Sequence, residues 1–458
     1  MTIATVDPTT GTLVREFAEM SGDEVERCLA LAHETWLTYR LTGFAERAGW
    51  MRAAADLLDA DAEELSAVMT REMGKTRVSA EGEIRKCAKT MRFYADNAEG
   101  FLADEPGDAE KVGAAEAYIR YLPLGPVLAV MPWNFPMWQV IRFAAPALMA
   151  GNVGLLKHAS NVPQTALYLG ELFTRAGFPA GCFQSLLIGS GKVDAVVRDK
   201  RVVAATLTGS EPAGRAVAAA AADEVKHTVL ELGGSDPFVV MPSADIARAV
   251  KTAVTARTQN NGQSCIAAKR FIVHAEVFDR FTSAFVEAME ALRIGDPMET
   301  DTDIGPLASE RGRTDVEAQV DAAVKDGATV LTGGTRPDGP GWFYPPTVIT
   351  DITKDMDLYS SEVFGPVASL YRVADLDEAV MLANDTDFGL GSNAWTEDAG
   401  ERDRFIRDLE AGAVTINGMT TSYPELAFGG VKRSGYGREL AAHGIKEFCN
   451  AKTVWVGE

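Results

Sequence analysis

Leu124-Gly125-Pro126-Val127-Leu128-Ala129-Val130-Met131-Pro132-Trp133-Asn134-Phe135-Pro136 is the stretch whose rhythm sets the architecture. The apolar run 127–131 reads as a strand, and a helical pattern follows over 136–149. Further apolar runs at 153–156, 183–187 and 204–207 alternate with helical patterns at 163–176 and 193–198. Short apolar strands separated by helices predict a parallel sheet covered by helices. The arrangement is of the dinucleotide-binding type, in which ligands sit beyond the carboxyl ends of the strands.

A second alternating block begins after Glu231. Residues 238–240 and 271–274 read as strands, 246–258 and 276–292 as helices. Pro- and Gly-rich punctuation over 333–346 precedes another strand at 367–371 and a helix at 376–383. This predicts a second α/β sheet domain. Upstream, the first hundred residues read as helices. Ser21 and Glu24 form a capping box that opens a helix to about Tyr39, and helical patterns continue over 44–73 and 78–97. Two segments fit neither block: the strand-like 115–122 and the tail 452–456. Isolated strands of that kind need a partner. There is no internal repeat and no low-complexity tract.

The bulk numbers bound the function. A chain of 458 residues with 47% hydrophobic and 24% charged content is globular and long enough for two or three domains. A net charge of -21 repels phosphate backbones, so no nucleic-acid partner is expected. Local Arg or Lys residues can still hold a small anion. The five cysteines, Cys28, Cys87, Cys182, Cys265 and Cys449, are scattered and form no Cys-x-x-Cys. That argues against disulfides and a structural metal, and for a reducing cytoplasm. The first residues lack a signal-peptide pattern. The apolar stretch 143–156 is interrupted by Pro146, Gly151 and Asn152, so no membrane span is expected.

Two residues stand out chemically. Cys265 follows Asn260-Asn261-Gly262-Gln263-Ser264, a polar, Gly-containing run unsuited to a packed strand. A cysteine alone is as readily a small buried hydrophobe. Glu231 ends the apolar run Val229-Leu230 and precedes Leu232-Gly233-Gly234. An acid in that position is either half of a buried ion pair or a base whose affinity for protons is raised by apolar surroundings. A thiol nucleophile and a carboxylate base suit attack on a carbonyl followed by hydrolysis of the covalent product.

These residues, together with Pro132-Trp133-Asn134-Phe135-Pro136 and Glu362-Val363-Phe364-Gly365-Pro366, resemble the aldehyde dehydrogenase superfamily over about residues 21–456. The resemblance implies a Rossmann-type cofactor domain (1–102 and 123–230, with part of 412–436) and an α/β catalytic domain (231–411). It also implies a small β oligomerisation extension (103–122 and 437–458). It implies Cys265 as nucleophile, Glu231 as base, and Asn134 paired with the Cys265 N–H around the oxyanion. The Asn-Phe-Pro turn that fixes the amide is compatible with that role. Ser235 stands where the family more often has Lys or Asn. A base at Glu231 separates this chain from CoA-acylating relatives, and Ala267 means the second thiol of some relatives is absent.

For the cofactor there is no Gly-x-Gly-x-x-Gly. Instead Thr208-Gly209-Ser210-Glu211-Pro212-Ala213-Gly214 resembles the family's dinucleotide turn, where helix N–H groups can meet a pyrophosphate. By resemblance Glu362 holds the nicotinamide ribose and Lys157 the adenine ribose. Trp133, Leu232 and Phe364 complete the expected cofactor contacts. Ser160 stands where NAD-preferring relatives carry Glu. Its hydroxyl can donate where a carboxylate would repel a 2′-phosphate, which points to NADP over NAD.

The segments 131–136 and 428–435 are most similar to those of succinate-semialdehyde dehydrogenases. In that branch the residue matching Arg142 binds the distal carboxylate, although a helical Arg is usually solvated or ion-paired. A second Arg found in many of those enzymes is here Gln259. The resemblance therefore implies Arg142 with Gln259 and Ser422 at the substrate's acid end. Trp138 and Tyr423 are either tunnel walls or core aromatics. The expected protein is a cytoplasmic homo-oligomer, dimer or tetramer, that oxidises succinate semialdehyde to succinate with NADP.

The alternatives are the same chemistry on glutarate semialdehyde or an uncharged aliphatic aldehyde, an esterase using the same fold, and a non-catalytic scaffold. Gly74-Lys75-Thr76 is no phosphate loop, because Met69 occupies the required glycine position. Neither a Gly-x-Ser-x-Gly elbow nor a His-Glu-x-x-His occurs, which argues against serine hydrolase and metal chemistry.

Overall fold

The computed structural model describes residues 2–458. Two helix-covered sheets dominate it. The first has six strands in the order Gly435–Tyr436, His227–Glu231, Ala204–Thr208, Pro126–Met131, Val153–His158, Phe183–Ser185. Five run parallel, and Gly435–Tyr436 adds antiparallel to the His227–Glu231 edge. From Pro126–Met131 the chain winds outward through Val153–His158 to Phe183–Ser185, then returns to Ala204–Thr208 on the other side. The reversal opens a crevice between the ends of Pro126–Met131 and Ala204–Thr208, where such sheets bind ligands. The turns Pro132-Trp133-Asn134 and Gly209-Ser210 flank it. Helix Trp138–Ala150 follows the first turn and is buried on every face, as expected of a helix inside a large core.

The second sheet has seven strands, ordered Thr329–Thr332, Thr347–Thr350, Val367–Val373, Ala268–His274, Asp236–Val240, Gly391–Trp395, Ala413–Ile416. Only the Thr329–Thr332 pairing is antiparallel. The period-two alternation of strands divides its core. Phe238 and Phe271 pack with Phe285 and Trp395 on one face, Val239 and Ile272 with Tyr371 on the other. Each such burial contributes roughly 1.5–3 kcal/mol. A third, antiparallel sheet joins Glu105–Pro106, Glu116–Pro123 and Cys449–Val456, pairing the two segments that fitted neither block.

The N-terminal region differs from expectation. Ile3–Asp7 and Thr12–Phe17 form a β-hairpin, so the first hundred residues are not all helical. Thr12–Phe17 is largely exposed and therefore carries no hydrophobic alternation to reveal it. The helical stretch expected over 44–73 is two helices, Phe44–Ala60 and Ala62–Met73, broken at Asp61. The capping box at Ser21 forms, with the Glu24 carboxylate 2.8 Å from the Ser21 N–H. Helix Glu310–Lys325 and the strands Gly391–Trp395 and Ala413–Ile416 were not anticipated. Among the described residues no helix is long and apolar enough to cross a membrane.

Candidate active site

Helix Ile246–Thr258 ends in three consecutive left-handed residues, Asn260, Asn261 and Gly262, with φ of 56°, 56° and 75°. Asparagine and glycine tolerate this region best. The turn is then locked by its own amides. Asn260 Nδ2 donates to the Asn134 and Gln263 carbonyls, at 2.7 and 3.0 Å. Asn261 Nδ2 donates to the Gly74 and Pro306 carbonyls. Gly262 is required sterically, since a Cβ there would lie 2.4 Å from the Gly365 carbonyl carbon. Buried Arg257 clamps the same approach by donating to the Gly262 and Gly365 carbonyls, both at 2.6 Å. Lys269 Nζ donates to the Ser264, Cys265 and Ala267 carbonyls from below. The polar run before Cys265 is thus a scaffold for one thiol.

Cys265 stands partly exposed where two cavities meet, and both are also lined by Gln139. Burial pushes its thiol up to about 12, against the opposing pull of Arg142 and Lys269. The Cys265 N–H has no protein acceptor among the described residues. Asn134, almost fully buried, donates one amide N–H to the Gln263 carbonyl at 3.0 Å and accepts from Gln139 Nε2 at 3.1 Å. Its second N–H is left for the cavity. An amide held in this way is a preorganised donor beside the sulfur.

The first cavity, about 290 Å³, lies over the crevice of the six-stranded sheet. Its walls include Trp133, Gly209, Ser210, Leu232, Glu362 and Phe364. Trp133 and Phe364 meet edge to face at 5.7 Å. Glu362 accepts from the Gly234 N–H at 3.1 Å and lies 3.6 Å from Lys269, while a Cβ at Gly233 would sit 2.4 Å from its carboxylate. Burial raises the Glu362 pKa against the pull of Lys269. Ser210 caps helix Glu211–Asp223 without spending its hydroxyl on the cap. Gly214 permits close packing, since its Cβ would meet Leu232 Cδ2 at 2.6 Å. Lys157 and Ser160 lie outside this lining, at the carboxyl end of the neighbouring strand Val153–His158. The Lys157 ammonium has no side-chain or backbone partner among the described residues, and burial lowers its pKa. An unpaired cation, a free hydroxyl and close-packed glycines at the crevice fit a dinucleotide.

Glu231 lines neither cavity. It ends its strand with both carboxylate oxygens lacking a hydrogen-bond partner, and a Cβ on Gly429 would sit 3.0 Å from one of them. Burial pushes its pKa up to about 8, with Arg142 pulling it down and Glu439 raising it further. The sequence left open whether this acid is ion-paired or a base. No salt bridge to it exists among the described residues.

The second cavity, about 180 Å³, brings Cys265 together with Trp138, Arg142, Gln259 and Ser422. Tyr423 lies outside it, half exposed beside a separate groove of about 670 Å³ that also reaches Ser422. Arg142 is not free: its Nε is 2.5 Å from Glu439, its Nη2 donates to Thr208 at 3.2 Å, and its guanidinium lies over Phe428. Three residues here were missed. Glu439 and Lys86 belong to segments the sequence reading assigned to other duties, and Gln139 looked like an ordinary helical polar residue. Lys86 lines the cavity, stacks 3.9 Å from the Trp138 ring centroid and donates to Ser422 at 3.0 Å.

A thiol and a fixed amide at the mouth of a doubly wound sheet, with a second α/β sheet carrying the thiol, define a class of two-domain oxidoreductase fold. The chain belongs to the aldehyde dehydrogenase family, whose model matches residues 1–454. It is 68% identical over 458 residues to the NADP(+) succinate-semialdehyde dehydrogenase of Mycobacterium avium, covering 100% of this chain and 97% of that one. To the NADP(+) succinate-semialdehyde dehydrogenase 1 of Mycobacterium tuberculosis it is 66% identical over 456 residues, covering 100% of each chain. The crystal structure of succinic semialdehyde dehydrogenase from Streptococcus pyogenes in complex with NADP+ superposes with a TM-score of 0.97 at 37% identity, covering 100% of both chains.

Proposed function

We propose that this protein oxidises succinate semialdehyde to succinate and reduces NADP. The observation that carries the reading is the meeting of two cavities at one sulfur, one shaped for a dinucleotide and the other small and cationic. The names of the mycobacterial and streptococcal relatives support the same substrate and cofactor.

In this reading Cys265 loses its thiol proton to solvent through the cavity and adds as thiolate to the aldehyde carbon, and the resulting oxyanion is held by the Asn134 amide and the Cys265 N–H. Glu362 and the Trp133–Phe364 walls would hold the nicotinamide, which would supply the hydride acceptor. Loss of the hydride from the former aldehyde carbon to that acceptor, with collapse of the oxyanion to a carbonyl, would leave a thioester on Cys265. Glu231 takes a proton from water as the oxygen adds to the thioester, and the C–S bond breaks to give the carboxylic acid and the Cys265 thiolate. The step requires the carboxyl to turn from Gly429 toward the sulfur. Ser160 and Lys157 favour the 2′-phosphate of NADP.

The domain bounds 1–102 with 123–230 and part of 412–436, 231–411, and 103–122 with 437–458 belong to the same proposal. So does a homo-oligomer: the third sheet exposes Trp455 and Val456, and the Ala413–Ile416 strand leaves an edge open. Five free cysteines suit a cytoplasmic location.

The test is NADPH absorbance with purified protein, NADP and a panel of succinate semialdehyde, glutarate semialdehyde and pentanal. The highest kcat/KM is expected for succinate semialdehyde with NADP. A higher value for either other aldehyde would replace the substrate, and a higher value with NAD would reverse the cofactor assignment.

A further inference from the structure

We propose that Lys86 is a second cation, alongside Arg142, that grips the distal carboxylate of the aldehyde, with the Ser422 hydroxyl and the Gln259 amide beside it. The inference rests on the substrate class proposed above and assigns its anion site. Two cations face the small cavity that ends at Cys265. Arg142 has its charge matched by buried Glu439 at 2.5 Å and one arm tied to Thr208. Its charge is therefore already matched, and an incoming carboxylate needs a further positive group to balance it.

Lys86 has no such counter-ion. Among the described residues it forms no salt bridge; its contacts are the Ser422 hydroxyl at 3.0 Å and the face of Trp138 at 3.9 Å. An ammonium has three N–H donors, and only one is used. A half-buried cation without an anion is costly, and a π-face returns only part of the lost hydration. Two further donors are left for an anion: Ser422 Oγ accepts from both Lys86 Nζ and Trp138 Nε1, at 3.0 and 3.1 Å, which frees its own O–H to donate, and buried Gln259 Nε2 has no partner. The geometry also explains how the cavity manages with a glutamine at position 259: the second cation comes from helix Arg77–Phe101 instead.

The neighbouring charges give the site a pH signature. Burial lowers the Lys86 pKa to about 8, with Arg142 lowering it and Cys87 and Glu83 raising it. Across the rim Glu425 is paired with Lys89. Lys86 therefore holds its charge below about pH 8 and loses it above.

The experiment compares kcat/KM for succinate semialdehyde with that for pentanal, an uncharged aldehyde of matching length, in wild type, Lys86→Met and Lys86→Arg. Both substrates are read on one sample, so the ratio is independent of the folded fraction. In Lys86→Met it falls about 100-fold, and Lys86→Arg keeps it within about tenfold of wild type. Between pH 7 and 9.5 the wild-type ratio falls about tenfold while that of Lys86→Met stays flat; the Glu231 and Cys265 limbs cancel. Inhibition of pentanal oxidation by succinate provides a second readout, and weakens to a similar degree in Lys86→Met. A wild-type preference that survives Lys86→Met with less than a tenfold drop overturns Lys86 alone. A wild type with neither preference nor succinate inhibition overturns the substrate assignment as well.

Discussion

Arg142 and Glu439 form a buried ion pair at 2.5 Å directly beside the unpartnered carboxyl of Glu231. Helix Trp138–Ala150 supplies the arginine, and the chain just after Gly435–Tyr436 supplies the glutamate. The pair therefore pins the C-terminal return of the chain onto the first sheet. It also sets the field in which Glu231 titrates, because Glu439 raises and Arg142 lowers its pKa.

Removing Glu439 should act in two measurable ways. Glu439→Ala leaves the guanidinium buried without its partner and costs about 3 kcal/mol in urea unfolding. Glu439→Gln removes a negative charge near Glu231, so the Glu231 pKa falls and the rising limb of the kcat–pH profile moves to lower pH. A limb that stays in place would mean Glu439 does not tune the base.

Glu231 itself should govern the hydrolytic half of turnover. Its base form accumulates as pH rises through about 8, so kcat should climb across that range where hydrolysis limits the rate. Glu231→Gln should lower steady-state kcat by about 1,000-fold while a single enzyme equivalent of NADPH still forms. Rapid-quench mass spectrometry should then find the acyl group on Cys265. Full turnover in Glu231→Gln would remove it as the base.

Asn134 should show the behaviour of an oxyanion donor. Asn134→Ala is expected to cut kcat by about 100- to 1,000-fold with little change in NADP binding by fluorescence titration. Gln139→Leu, which removes only the donor holding Asn134 Oδ1, should cost about tenfold in kcat by loosening the amide. If Gln139→Leu proved as damaging as Asn134→Ala, Gln139 would have a direct role of its own.

Cofactor choice should turn on Ser160. If Ser160 faces the 2′-phosphate, a carboxylate there would repel it, and at a few ångströms the repulsion would be worth about 10- to 100-fold in KM for NADP. Ser160→Glu should therefore lower kcat/KM for NADP while sparing or improving that for NAD. Equal losses with both cofactors would assign Ser160 a packing role only.

Much of this was legible in local pattern. The βα alternation predicted a parallel, helix-covered sheet because its central strands are buried on both faces and so read as unbroken apolar runs. The polar run before Cys265 marked a site because residues too polar for a strand and rich in Asn and Gly must form a constrained turn. The N-terminal hairpin was invisible for the opposite reason: its second strand is exposed and needs no hydrophobic alternation.

What the sequence determined by itself was chemical capacity: a thiol on a glycine turn and an acid at a strand end. Tertiary structure alone decided which charges are free. Lys86, Arg142 and Glu439 lie on three segments far apart in the chain, and their pairing depends on how those segments pack. A counter-ion is chosen by distance in space, falling off within a few ångströms, and the order of residues along a chain does not record that distance.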